Sequence, residues 1–320
     1  MKLSVCITTY NHESYIAQAI DSVLRQETDF DFEILIGEDD SKDQTREIVK
    51  AYKDRYPDKI RLFLHDRKNV IYISGIATGR WNFTNNLKHA KGQYVALLDG
   101  DDYWTDPLKL QKQVDFLDAH PDFAISFHNV RCVWQDGSQP PFTLCAKNMK
   151  EEMTIHALLR QNTIPTAAVV YRSGLFREFP TWYFEILPGD WPLHILNAEH
   201  GKIKYFDQVM SVYRLHQGGI WTSKKDSFIW KERLKLYMTI NSHFNFKYND
   251  IIEKSTADCF YKLAVSYHIQ NDKEQANWFA KEYRNRVSKW IRPFDSKYIK
   301  LLIRFRMPML LRMLDFLRGA

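Results

Sequence analysis

Four apolar segments separated by stretches of helical period constrain what this 320-residue chain can fold into. Residues 3–9 are apolar and β-branched, and residues 32–37, 60–64 and 94–98 repeat the pattern. Short apolar runs of this kind read as strands. Between the first two, Ile16, Ala19, Ile20, Val23 and Leu24 recur at i, i+3, i+4, i+7 and i+8, the buried stripe of a helix. A second helix is expected over about residues 43–56, where Ile48, Val49 and Tyr52 face inward and Pro57 stops it; a third is expected over 81–89. Strands alternating with helices build βαβ units and a mostly parallel sheet. Ligands in such sheets sit beyond the carboxyl ends of the strands. Three of those ends are polar here: Thr8-Thr9-Tyr10-Asn11, Glu38-Asp39-Asp40-Ser41 and Asp99-Gly100-Asp101-Asp102. The fold gathers them along one rim.

The third end carries the most chemistry. Residues 94–98 hold no charge, then three carboxylates fall within four positions, with Gly100 among them. Like charges this close repel, and burial raises their cost, so a cation is the cheapest way to hold them. An all-oxygen set suits Mg²⁺ or Mn²⁺, which bind through one or two carboxylates and complete their shell with phosphate oxygens. Alone, an Asp-x-Asp turn is a solvated acidic loop; the buried strand before it and Tyr103-Trp104 after it favour a site. No Gly-x-Gly-x-x-Gly follows the first strand and no Gly-x-x-x-x-Gly-Lys-Ser/Thr occurs, which argues against a dinucleotide dehydrogenase and a P-loop NTPase.

Further along, Pro107 opens a helix to about residue 120, and residues 124–133 read as a strand. Residues 135–152 read as an irregular loop over the site, followed by a helix at 154–160 and a strand at 167–171. In Gly189-Asp190-Trp191-Pro192, Pro192 suits a first helical turn and puts Asp190 near an N-cap. Two short strands are expected at 203–206 and 209–213, ahead of Arg214-Leu215-His216.

Together these motifs resemble glycosyltransferase family 2, inverting enzymes of the GT-A fold, over residues 1–222. Thr8-Thr9-Tyr10-Asn11 resembles the opening motif at the nucleotide end. Glu38-Asp39-Asp40-Ser41-Lys42-Asp43 stands where the family has Asp-Asp-Gly-Ser-x-Asp, which implies that Asp39 contacts the base and puts Asp40 in place of glycine. Asp99-Gly100-Asp101 matches the Asp-x-Asp metal motif, with Asp101 the direct ligand. Gly189-Asp190-Trp191 resembles the acceptor-side motif that carries the catalytic base, and His216 stands where members place a histidine near metal and diphosphate. The resemblance implies a Rossmann-like sheet flanked by helices and transfer from a nucleotide-sugar to a glycan or lipid-linked acceptor in cell-surface polysaccharide synthesis. Trp104 and Trp191 are candidates for stacking on sugar, Arg80 and Asn82 for touching the nucleotide. Gln217-Gly218-Gly219-Ile220-Trp221 has Ile where processive polymerases have Arg, which implies addition of one sugar at a time.

Residues 223–320 carry helical patterning only, with a hairpin expected about Gln270-Asn271-Asp272. From residue 288 to the end, eight Lys or Arg face two Asp, so the tail carries the net +6 of the whole chain. Residues 298–318 are apolar and basic together, broken by Pro308, which suits an interfacial helix on an anionic membrane. Scattered Cys6, Cys132, Cys145 and Cys259, no leader and no long apolar window imply a cytoplasmic protein peripheral on the membrane's inner face. Basic residues confined to an apolar tail argue against nucleic acid. Two alternatives stand beside the transferase. A sugar nucleotidyltransferase opens on a Gly-rich basic loop that is absent here, and a non-catalytic glycan-binding module docked through the tail would have no use for a base.

Overall fold

The structure is a computed structural model that describes residues 1–216, 224–287, 295–297 and 299–301. The chain divides into two compact units, Met1–Thr222 and Ser223–Ala320. The first begins with β1 (Leu3–Thr9), α1 (Ile16–Leu24), β2 (Phe32–Glu38), α2 (Thr45–Arg55) and β3 (Ile60–Leu64). A small hairpin, β4 (Ile71–Ile73) and β5 (Ile76–Thr78), leads to α3 (Arg80–His89), β6 (Tyr94–Asp99), β7 (Tyr103–Trp104) and α4 (Lys109–Ala119). Then come β8 (Phe123–Trp134), β9 (Phe142–Thr143), β10 (Glu152–Met153), α5 (Ile155–Leu158), β11 (Val170–Arg172), α6 (Asp190–Ala198) and β12 (Lys202–Leu215).

The sheet runs β10-β12-β8-β11-β6-β1-β2-β3, with β7 on β12 and β9 on β8. The β6-β1-β2-β3 portion is parallel, as the strand–helix alternation requires, while β11 is antiparallel to both β6 and β8. β1 lies between β2 and β6, so the chain reverses its order of addition there. Crevices at such a point are where open α/β sheets bind ligands. The stripe Ile16, Ala19, Ile20, Val23 of α1 is fully buried against Val5, Ile7, Leu98 and Trp104 in one apolar cluster.

Residues 203–213 form one strand rather than two. β12 pairs with β8 along its length and absorbs Asp207 and Gln208, both exposed, as a bulge between Phe206 and Val209. A polar pair inside a strand pattern can be an irregularity of the ladder as well as a turn. The stretch expected to be loop contains β9 and ends on the first residue of β10, and a 3-10 turn at Thr166–Ala168 replaces the start of the strand expected at 167–171.

The second unit comprises α7 (Asp226–His243), α8 (Asn249–Ile269) and α9 (Lys273–Arg286). The hairpin between α8 and α9 turns at Asn271, at a φ of +60°, and Asp272 caps α9 by accepting the Gln275 N–H at 3.1 Å. Phe260, Leu263, Ala264, Phe279, Tyr283 and Leu301 form its core. Among the described residues no helix is long and apolar enough to cross a membrane. The motif at residues 217–221 and the tail beyond Leu301 lie outside the described residues.

Candidate active site

Register builds the rim. In the parallel ladder Thr8 of β1 stands beside Asp99 of β6, and Thr9 beside Glu38 of β2. Thr8 Oγ1 donates to Asp99 Oδ1 at 3.0 Å. Gly100 then packs so closely that a Cβ would lie 2.7 Å from Thr9 Oγ1 and 2.8 Å from His12 Nδ1. Only glycine lets the backbone pass there.

Asp101 is the centre of the arrangement. Its Oδ2 lies 3.0 Å from His216 Nε2 and 3.8 Å from His12 Nε2. Burial raises the Asp101 carboxyl, but the His216 hydrogen bond and the nearby His12 outweigh it and hold the group below its ordinary value. The same hydrogen bond raises His216, while burial lowers His12. Asp99 is pushed up to about 7 by burial and by the charge of Asp101. Asp102 is buried, well above its ordinary value for the same reasons, and accepts the Arg214 main-chain N–H at 2.8 Å. The Arg214 guanidinium donates to the Asp101 carbonyl and to Gln18 Oε1, lying 4.5 Å over the Tyr103 ring.

The second strand end is tied to the first. Asn11, at a φ of +54°, donates its N–H to Ser41 Oγ at 2.9 Å and accepts the Lys42 N–H at Oδ1, 2.8 Å. Asp40, at the position of the resembled glycine, has a φ of +61°, a left-handed conformation that aspartate tolerates. Asp39 is buried and pairs with Arg67 at 3.1 Å, and the Arg67 guanidinium lies 4.4 Å over the Tyr10 ring. Burial raises Asp39 against the pull of Arg67.

Asp190 opens α6 at its first residue, one past the Gly189 N-cap. Its Oδ2 accepts from Asn162 Nδ2 at 3.1 Å and Thr166 Oγ1 at 3.4 Å, and its Oδ1 from the Trp191 N–H at 2.7 Å. Its charge contributes to the rise at Asp99, which puts it within electrostatic reach of the rim.

Sequence reasoning therefore named residues that the fold brings to one place: Thr8, Thr9, Asp99, Gly100, Asp101 and His216, with Tyr10, Asn11 and Asp39 alongside. Four assignments are corrected. Trp104 and Trp191 are buried, with their Nε1 groups donating to the Ala167 and Leu158 carbonyls at 2.8 Å each, so neither offers a ring face to a sugar. Arg80 and Asn82 are 3% and 1% exposed and hydrogen-bond main-chain carbonyls rather than facing a nucleotide. His12 and Arg214 were missed. Each flanks a motif that was read, His12 one past Asn11 and Arg214 two before His216.

A model of glycosyl transferase family 2 matches residues 4–176. The chain belongs to glycosyl transferase family 2. An uncharacterized protein of Mycobacterium tuberculosis is 38% identical over 226 residues, 69% of this chain and 61% of the relative. The chain thus spans about three-fifths of that relative's length. The family 2 fold is shared with solved structures. S. aureus TarS 1–349 in complex with UDP-GlcNAc superposes with a TM-score of 0.58 at 20% identity, covering 89% of this chain and 92% of that one. The mannosyltransferase PcManGT from Pyrobaculum calidifontis, with GDP-Man and Mn²⁺, gives 0.53 at 15% identity, covering 94% and 85%.

Among the described residues no three or more His, Cys, Asp or Glu side chains form a ready metal cage. The donor set nevertheless fits a hard divalent ion completed by ligand phosphates: Asp101 and His216 supply two donors, and Asp99 lies two positions before Asp101.

Proposed function

We propose that this protein transfers one sugar at a time, with inversion, from a nucleotide-sugar, a UDP-sugar as bound by TarS, to a glycan or lipid-linked acceptor. The setting we propose is cell-surface polysaccharide synthesis, at the inner face of the membrane. The observation that carries the reading is the Asp101 carboxylate, flanked by His216 and His12 at the carboxyl end of β6, with Asp190 in electrostatic reach.

Each residue has a role in that reading. Thr8, Thr9, Tyr10, Asn11 and the Asp39–Arg67 pair line the nucleotide side, and Asp39 accepts from the base. Asp101 and His216 hold Mn²⁺ or Mg²⁺, which when bound neutralises diphosphate charge. Arg214 stiffens the Asp101 turn through its carbonyl. Asp190 accepts the proton of the attacking acceptor hydroxyl. Asn162 and Thr166 donate to one of its oxygens and fix the direction of the other.

Calorimetry with UDP tests the reading. We expect binding with Mn²⁺ present, most of it lost on adding EDTA, and most of it lost in Asp101→Ala with Mn²⁺ retained. Equal affinity in all three conditions would remove the metal from the proposal.

A further inference from the structure

Arg80 is 3% exposed at the first position of α3, and the four hydrogen bonds of its guanidinium all go to main-chain carbonyls of one segment. Nη1 donates to Tyr183 at 2.6 Å; Nη2 donates to Ile186 at 3.0 Å, Leu187 at 3.1 Å and Pro188 at 2.9 Å. The guanidinium lies 4.3 Å over the Tyr183 ring, and Tyr183 Oη donates to the Gly189 carbonyl at 2.7 Å. The chain from 183 to 189 is thereby held by two side chains that are themselves buried, and the next residue is Asp190. Buried cations are expensive without compensation, yet here the compensation is a set of carbonyl dipoles rather than a carboxylate. Asp190 is the carboxylate whose field reaches the Arg80 charge.

Resting on the reading of Asp190 as base, we propose that Arg80 is a positioning residue for it. The planar guanidinium fixes the segment that delivers Asp190 to the acceptor hydroxyl. Arginine suits this because its rigid fork serves several carbonyls at once. A lysine keeps the charge but presents a flexible point donor that cannot hold the same four. The clamp acts on turnover rather than on the nucleotide side, since its bonds go only to residues 183–188, whereas Thr8 lies on β1 and Asp39 and Asp101 follow the ends of β2 and β6.

A double-mutant cycle decides it. Turnover is read as UDP released from the UDP-sugar that the wild-type protein uses, and UDP affinity by calorimetry. Asp190→Asn is expected to lose roughly 10²–10⁴-fold in turnover. Arg80→Lys is expected to lose about 10- to 100-fold, the usual cost of a small misplacement of a catalytic group, with UDP affinity within about threefold. Added to Asp190→Asn, the same replacement should cost less than about twofold, because there is no base left to misplace. Full turnover in Arg80→Lys beside a crippled Asp190→Asn overturns the positioning role and leaves the base assignment standing. Full turnover in Asp190→Asn overturns both. An equal loss from Arg80→Lys in both backgrounds places its effect elsewhere and overturns the inference. If Arg80→Lys does not fold, Tyr183→Phe, which removes only the hydroxyl on Gly189, enters the same cycle. A loss confined to the Asp190 background supports the clamp, and unchanged turnover overturns it.

Discussion

Lys109, in the first turn of α4, is fully buried, and its Nζ has no hydrogen-bond partner among the described residues. The face of Trp104 lies 4.2 Å away and favours an ammonium, but burial drives the group well below its ordinary value. An ammonium with three unmet donors costs more than one ring face returns, so burial favours the neutral amine in the folded state. In the unfolded chain a lysine titrates near about 10.4. Between the lowered folded value and that pH the unfolded state binds one proton more, so stability rises with pH across the window. Lys109→Met keeps the stem and removes the amine. It should gain about 1–3 kcal/mol near neutral pH, seen as a higher Tm, and should flatten the rise of Tm from pH 7 toward 10. A parallel Tm–pH curve in the mutant would show that the amine stays charged. The same residue illustrates what the sequence withholds. Asp99, Asp101 and His216 are legible because their chemistry has few alternatives at a strand end. Burial of Lys109, Trp104, Trp191 and Arg80 depends on which face tertiary packing covers, and spacing alone does not carry that.

At the scale of elements, strands were legible because uncharged runs leave few choices, whereas α3 lacks an apolar stripe. Its buried face is Arg80, Asn82, Thr84 and Asn86. Polar side chains serve there because they answer main-chain groups. Asn82 Nδ2 donates to the Gly37 carbonyl of β2 at 2.7 Å, and Asn86 Nδ2 to the Ile7 carbonyl of β1 at 2.9 Å. The close seat requires a glycine: a Cβ on Gly37 would lie 1.7 Å from Asn82 Oδ1. Hydrophobic periodicity cannot find a helix docked through amides, and this is why only its extent, not its buried face, was expected. Gly37→Ala should therefore cost about 1–3 kcal/mol, the usual price of overpacking, and UDP affinity should fall because β2 leads into Asp39. Asn82→Ala added to Gly37→Ala should restore part of the lost Tm by relieving the clash. If the double mutant is as unstable as the two changes summed, the two positions are not in contact as described.

The whole molecule places its chemistry and its charge in different units. The candidate site lies within Met1–Thr222, and the excess of basic residues lies at the end of Ser223–Ala320. That separation makes the membrane proposal testable without touching the site. The cut must respect the helical unit, because Leu301 is buried with Phe260, Leu263 and Tyr283 and belongs to that core. A chain ending at Leu301 keeps it and removes four Arg against one Asp, together with most of the apolar residues of 298–318. Basic residues at an anionic surface contribute on the order of 1 kcal/mol each, screened by salt. Buried apolar side chains contribute a part that salt does not weaken. Full-length protein should therefore float with anionic liposomes and detach only in part at high salt. The chain ending at Leu301 should not float, and its UDP affinity should match the full-length value because Asp101 and His216 are intact. Equal flotation of the two proteins would assign the tail to packing or to a protein partner, and a loss of UDP affinity on truncation would show that the tail acts on the site.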